Sequence, residues 1–217
     1  MTKTTTGPGR PRRQDTEAVR RALIAAARDH FAQGSFKGVS VREIARAAGV
    51  NQAMVSYYFG DKRGLYEAML EETIGPLIRV LEEAEARGEV ARLEDLIPRH
   101  AAMLAANPWL PNLIIREVLF GESDFRNLFI EKFAARVAGA LRRAINGGRD
   151  KGELRDDLDP KFGTLILFSL TIYPFVARPI VERAMGIPID DAFAGRWSEQ
   201  ILQLLAPPRP PPEDESP

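Results

Sequence analysis

Cysteine is absent from the 217-residue chain, and histidine occurs only twice, at His30 and His100. Without thiols there is no disulfide, no thiolate nucleophile and no cysteine-ligated metal, a composition that suits the reducing cytoplasm. Two histidines so far apart offer no metal-ligand spacing, and neither a Gly-rich phosphate loop nor a nucleophile elbow is present. Clustered acids do occur, at Glu82 and Glu83 and at Asp156, Asp157 and Asp159. Each cluster lies in a polar run that reads as solvated surface, so the expectation is of no enzyme, no metal and no cofactor. Long apolar runs are lacking too. The most apolar stretch, residues 162–177, is interrupted by Thr164, Ser169, Thr171 and Pro174. It falls short of the ~20 residues a membrane helix needs and predicts a buried helix instead. The start, "MTKTTTGPGRPRRQD", is basic and Gly/Pro-rich without an apolar centre, which predicts a disordered arm rather than a secretion signal.

What is present is charge, unevenly placed. The formal net charge is zero, yet residues 1–63 carry 12 Lys/Arg against 5 Asp/Glu, while residues 64–217 carry 18 against 25. A basic first third joined to an acidic remainder points to a module that meets a polyanion, attached to a part with another task.

Helical periodicity runs through almost the whole chain. Val19, Leu23, Ala26, Ala27, His30 and Phe31 form one stripe of a helix that Gly34 stops. His30 on that stripe is the ordinary core-edge histidine. Ser40 and Glu43 have the spacing of a capping box and open a second helix, with Ile44 and Ala45 on its inner face. Gly49 ends it after barely two turns, and Asn51, a good N-cap, starts a third. Two short helices across a Gly-containing turn make a helix-turn-helix, whose second member can lie in the DNA major groove. On that member Val55 and Phe59 are spaced to face inward, leaving Gln52, Ala53, Ser56 and Tyr57 outward. Gln can pair with the N6/N7 edge of adenine, and Ala53 lets the helix approach a thymine methyl. Tyr57 and Tyr58 offer hydroxyls to phosphates.

These residues carry a resemblance. "AARDHFAQGSFKGVSVREIARAAGV" followed by "VSYYFGDKRGLYEAML" resembles the DNA-binding domain of the TetR family of bacterial transcriptional repressors. The resemblance implies base reading by Gln52, Ala53, Met54 and Tyr57, and phosphate contacts from Ser40, Arg42, Ser56, Tyr58 and Lys62, with Asn51 at the helix start. Ser56 and Tyr58 depart from the Tyr and His frequent at those family positions. Ahead of the first helix, "GRPRR" resembles minor-groove peptides that lay arginines, here Arg10, Arg12 and Arg13, along a narrow groove; a nonspecific basic arm is the other reading.

The body beyond is expected to be helical as well. A fourth helix runs from Asp61 into "EEAEARGE" with a kink at Gly75 and Pro76, followed by helices over residues 93–106, 126–146 and 161–185. The family resemblance implies that residues 161–184 and 190–205 build a homodimer's four-helix bundle. A small apolar or aromatic effector would meet His100, Met103, Trp109, Leu113, Arg116, Glu117, Phe120, Phe125, Phe168 and Tyr173, with Phe175 and Arg178 nearby. Taken together, the fold class is all-α. Residues 1–14 form the arm, 15–62 the helix-turn-helix head, 63–206 the ligand-binding and dimerisation body, and 207–217 a Pro-rich disordered tail. Partners are a double-stranded DNA operator, a small-molecule effector and a second copy, with no membrane. A constitutive DNA binder, or a helical ligand-binding module without specific DNA binding, remains the alternative.

Overall fold

The computed structural model describes residues 13–121 and 123–208, and every regular element among them is helical. Two compact units divide between Glu72 and Thr73. That division falls inside a helix rather than at its start, because the first turns of that helix supply core residues to the first unit.

In the first unit, α1 (Arg13–Gln33) ends where the Gly34 N–H donates to the His30 carbonyl at 2.9 Å. Its apolar stripe, Leu23, Ala27 and Phe31, is buried with Ile44, Val55, Leu65, Tyr66 and Met69. Phe31 meets Tyr66 edge-on at 4.6 Å between ring centres, and Phe36 meets Tyr66 at 5.2 Å, so the α1–α2 loop is anchored by aromatic packing. The capping box forms as the spacing predicts. The Arg42 N–H donates to Ser40 Oγ at 3.2 Å, and the Ser40 N–H donates to Glu43 Oε2 at 3.2 Å, opening α2 (Val41–Ala47).

The turn that follows is built by the backbone. Val50 N–H reaches back to the Ala45 carbonyl at 3.0 Å and Gly49 N–H to Arg46 at 3.1 Å, a Schellman closure. It needs the left-handed φ of +69° that Gly49 adopts without strain. Asn51 Oδ1 then accepts the Ala53 N–H at 2.8 Å and caps α3 (Ala53–Phe59). Asp61 Oδ1 accepts the Gly64 N–H at 2.8 Å at the head of α4 (Lys62–Ala86).

Within α4 the helix runs through Gly75 and Pro76 without ending. Pro76 has no N–H to donate four residues back, so the Glu72 carbonyl, at the last residue of the first unit, lacks its α-helical donor.

In the second unit, α5 (Leu93–Ala106) packs on α8 (Ala135–Asp150), α9 (Pro160–Val176) and α11 (Phe193–Leu205), and α8 packs on α9. Trp197 Nε1 donates to the Leu170 carbonyl at 2.7 Å, tying α11 to α9. Between α5 and α8 lie α6 (Trp109–Ile114) and α7 (Ser123–Phe129), each running into a wider π turn, at Ile115–Leu119 and Ile130–Ala134. Arg126 bonds the Val118 carbonyl at 2.7 Å and the Gly121 carbonyl at 3.0 Å, satisfying the end of the first π turn.

Three expected spans are corrected. The helix over 126–146 begins earlier, carries the π turn, and continues to Asp150, because Gly148 is a packing residue: a Cβ there would sit 2.8 Å from the Leu154 side chain. The single helix over 161–185 is two. Helix α9 ends at Val176, and α10 (Arg178–Arg183) starts afresh with Pro179 in its first turn, where a residue without an N–H costs nothing. The last helix starts at Phe193 rather than 190, since the Asp190 side chain accepts the Ala192 N–H at 3.1 Å and terminates the loop. Residues 1–12 and 209–217, and so Arg10, Arg12 and most of the arm and tail, lie outside the described residues; Arg13 begins α1.

Gly64 fixes how α4 leaves α3, because a Cβ there would overlap the Phe59 carbonyl oxygen. Gly64→Ala should therefore destabilise the first unit by about 1–3 kcal/mol. Denaturant unfolding followed by circular dichroism should show a lower midpoint, and an unchanged midpoint counts against this close approach.

Candidate nucleic-acid interface and effector site

Helix α3 separates its faces cleanly. Val55 is 1% exposed and Phe59 is half-buried, with the Arg20 guanidinium 5.7 Å from its ring centre. Gln52, Ala53 and Ser56 are exposed on the other side, and Tyr57 is 74% exposed. Tyr57 rests edge-on against half-buried Tyr58 at 4.9 Å, which stiffens both rings. Met54 is half-buried at the flank. A seven-residue helix with amide, hydroxyl and phenol groups outward, opened by Asn51, has the dimensions and donors to enter a major groove.

The remaining DNA candidates surround it in the first unit. Ser40 and Arg42 are exposed at the start of α2. The Ser40 oxygen already accepts a backbone N–H, which leaves its hydroxyl hydrogen for a phosphate. Lys62 is more constrained than a free surface lysine. Its ammonium lies 4.8 Å from the Phe36 ring centre and donates to the Lys37 carbonyl at 3.3 Å, so it pins the α1–α2 loop beside the interface.

In the second unit the effector candidates scatter. His100 and Phe168 are brought together, ring edge to ring face with centres 6.2 Å apart. His100 lines an internal cavity of about 10 Å³ with Leu77, Leu81, Leu96, Ile97, Val137, Leu141, Leu167 and Thr171. That is room for one water at most. The apolar residues of this wall carried no chemical signal in the sequence; their mark was the spacing of Leu96, Ile97 and His100 on one face of α5. Thr171 donates its hydroxyl to the Leu167 carbonyl at 2.7 Å, so His100 is the one ring in this wall with polar capacity to spare. Burial pushes the His100 imidazole down to about 4, because a charged ring would be desolvated.

The others take different roles. Arg116 Nε donates to Glu117 Oε1 at 2.8 Å, so the two neutralise each other and do not stand open to an effector. Leu113 is wholly buried core, and Met103, Trp109 and Phe125 are half-buried outside this cavity. Phe120 is 82% exposed: the π turn before it carries it out of the apolar face that α-periodicity assigns. Tyr173 points to the outer side of α9, where it lines an open apolar groove of about 380 Å³ with Leu170, Met185, Ile187 and Trp197.

Comparison with known proteins agrees with this geometry. The model "Bacterial regulatory proteins, tetR family" matches residues 23–69, and "Tetracyclin repressor-like, C-terminal domain" matches residues 89–204. The chain belongs to the TetR family and is a helix-turn-helix transcriptional regulator. It is 26% identical over 204 residues to the HTH-type transcriptional regulator RutR of Escherichia coli O157:H7, covering 89% of this chain and 92% of that one. Over 199 residues it is 26% identical to the HTH-type transcriptional repressor NicS of Pseudomonas putida, covering 89% and 93%. Among solved structures, NalD of Pseudomonas aeruginosa, the secondary repressor of the MexAB-OprM multidrug efflux pump, superposes with a TM-score of 0.62 at 19% identity, covering 88% of this chain and 98% of that one.

Reading and anchoring are separable by substitution. Gln52→Ala should cost about 1–3 kcal/mol on the operator and relax preference at one base pair per half-site. Arg42→Ala should weaken all sequences alike and lower the slope of log K against log salt by about one. Equal effects of both on operator and random DNA would remove Gln52 from the readers.

His100 generates a pH prediction. The unfolded chain binds a proton at His100 near the ordinary 6.5 and the folded chain only near 4, so between these values the unfolded state takes up the extra proton. The contribution to stability is whole above that window and falls as pH drops through it. Thermal midpoints measured from pH 7 to 4.5 should decline less steeply in His100→Gln than in the parent, and parallel curves would contradict the burial.

Proposed function

We propose that this regulator acts as a homodimeric repressor, bound to a two-fold symmetric operator and released from it by a small apolar or aromatic effector. The observation that carries the reading is the exposed face of α3: Gln52, Ser56 and Tyr57 are turned to solvent while Val55 anchors the helix inside. Polar and phenolic groups held this rigidly at a short helix's surface are suited to base edges and phosphates.

Dimerisation is supported by α9. Gly163, Thr164, Leu167, Thr171 and Phe175 face the unit's own core, while Phe162 (67% exposed), Leu165 (61%), Ile166 and Tyr173 fall on an outward stripe at helical spacing. The apolar groove of α9–α11 continues that stripe. Apolar surface of this extent on a chain with 28% charged residues is the mark of a partner of the same chemistry, a second copy. The effector reading rests on the wall of the His100 cavity, whose aliphatic side chains and single imidazole would suit a mostly apolar ligand once that wall opened beyond its present room for one water.

Footprinting of DNA fragments that flank the gene should reveal a near-palindrome with half-sites roughly 34–36 Å apart, or a multiple of that. Leu165→Glu should leave a monomer by sedimentation and abolish the symmetric footprint. A footprint without two-fold symmetry would overturn the dimeric operator, and a Leu165→Glu dimer would overturn the α9 interface.

A further inference from the structure

We infer that Lys62 acts in DNA binding as a positioning residue, holding the turn before α2 through Phe36 and the Lys37 carbonyl, and that its charge makes no phosphate contact. This role requires DNA binding by the first unit and is independent of the dimer and effector readings above.

Two contacts commit the Lys62 ammonium. It lies 4.8 Å from the Phe36 ring centre, and Nζ donates to the Lys37 carbonyl oxygen at 3.3 Å across 25 positions of sequence. The side chain is half-buried where it does so. Beneath it, Phe36 stacks on Phe31 with ring centres 5.8 Å apart and meets Tyr66 edge-on at 5.2 Å, so the ring that carries the cation is itself fixed to α1 and α4. The ring face is the negative end of its quadrupole, and partial removal of water strengthens its hold on a cation. Reaching outward for a phosphate would forfeit the ring contact and the charge-assisted hydrogen bond together.

The turn so held leads into the start of α2. Its own bonds are local: Gly38 N–H donates to Ser35 Oγ at 3.1 Å and Val39 N–H to the Ser35 carbonyl at 3.1 Å. Lys37, Gly38 and Ser40 are exposed, and a turn in reach of water that closes on two such bonds opens at low cost. Lys62 adds a tie from outside it. Three residues past the Lys37 carbonyl comes Ser40, whose side chain caps α2, and then Arg42, the two phosphate candidates of that helix. Without the tie the turn samples more conformations in the free protein, and DNA must refix it before Ser40 and Arg42 can meet the phosphates. Affinity falls while the number of phosphates neutralised stays the same. That combination separates positioning from contact, because a lysine on a phosphate contributes its own counterion release.

The test titrates the full chain against a fluorescein-labelled random-sequence DNA duplex by anisotropy at several potassium chloride concentrations. Lys62→Met should bind about tenfold more weakly, the cost of refixing roughly one residue of backbone, with the slope of log K against log salt unchanged. Arg42→Gln, measured beside it, should lower that slope by about one. Lys62→Arg, whose guanidinium also packs on an aromatic face, should recover most of the affinity. In a Phe36→Leu background Lys62→Met should cost clearly less than in the parent, because its partner ring is already gone. Hydrogen exchange read by NMR on the free protein should show the Gly38 and Val39 amides of Lys62→Met exchanging about tenfold faster, while the Val55 amide keeps its rate. A slope lowered by about one in Lys62→Met, or a loss additive with that of Phe36→Leu, would make Lys62 a phosphate contact and overturn the assignment. Faster exchange with unchanged affinity would leave Lys62 a purely structural residue, and unchanged exchange would remove the tie; either result overturns it as well. An Arg42→Gln slope equal to the parent's would leave the start of α2 with no phosphate contact to present, to the same effect. If Phe36→Leu does not fold by circular dichroism, the slope and exchange rates of Lys62→Met decide alone.

Discussion

Two backbone hydrogen bonds across Gly49 organise the whole DNA-facing unit. By returning the Gly49 and Val50 N–H groups to α2, the chain ends one helix and begins the next within a few residues, and only a residue free to take positive φ permits it. The direction of α3 follows from that closure together with the Asn51 cap. Val55 then meets the core, and the opposite face of the same two turns is left for a ligand. The aromatic cluster of Phe31, Phe36 and Tyr66 holds the preceding loop, with Lys62 as its outer clamp. A lysine that reads from sequence as a phosphate contact thereby has structural work of its own.

The legibility of the two units differs for a physical reason. In the first, the decisive contacts are local: Ser40 with Glu43, Gly49 with Arg46, Asn51 with Ala53. Partners a few residues apart leave their spacing in the sequence, so the capping box, the turn and the outward face of α3 could be read from residue order alone. In the second, function depends on which side of a helix a residue occupies in three dimensions. Large aromatic residues were candidates by size, and size does not say which way a ring points. Tyr173 lies on the outer stripe of α9 rather than the inner.

The π turns are the second reason. Each inserts one extra residue into the helical count, which rotates everything downstream by about 100° relative to an uninterrupted α-helix. A heptad-style projection through Ile115–Leu119 therefore assigns Phe120 to the wrong face, and its 82% exposure is the outcome. His100 precedes both turns, on the regular helix α5, and its inward placement was readable. Pro179 acts similarly on the helix after Val176: a single missing donor divides one apolar run into two helices. The cavity wall of Leu77, Leu96, Val137 and Leu141 was invisible for the plainest reason, that an aliphatic residue beside a cavity looks like any other core residue.

The two faces of α3 also bear on how such a molecule changes over generations. None of the groups at Gln52, Ala53, Ser56 and Tyr57 is part of the buried core, whereas Val55, Gly49 and Asn51 hold the scaffold. Substitution on the outer face is therefore close to neutral for folding, and a new set of outer side chains can be sampled without first acquiring spare stability. With the outer face of α3 as the reading surface proposed above, folding and target choice in this unit would be nearly independent heritable traits. A lineage carrying it could then change its DNA target without disturbing the turn that presents α3.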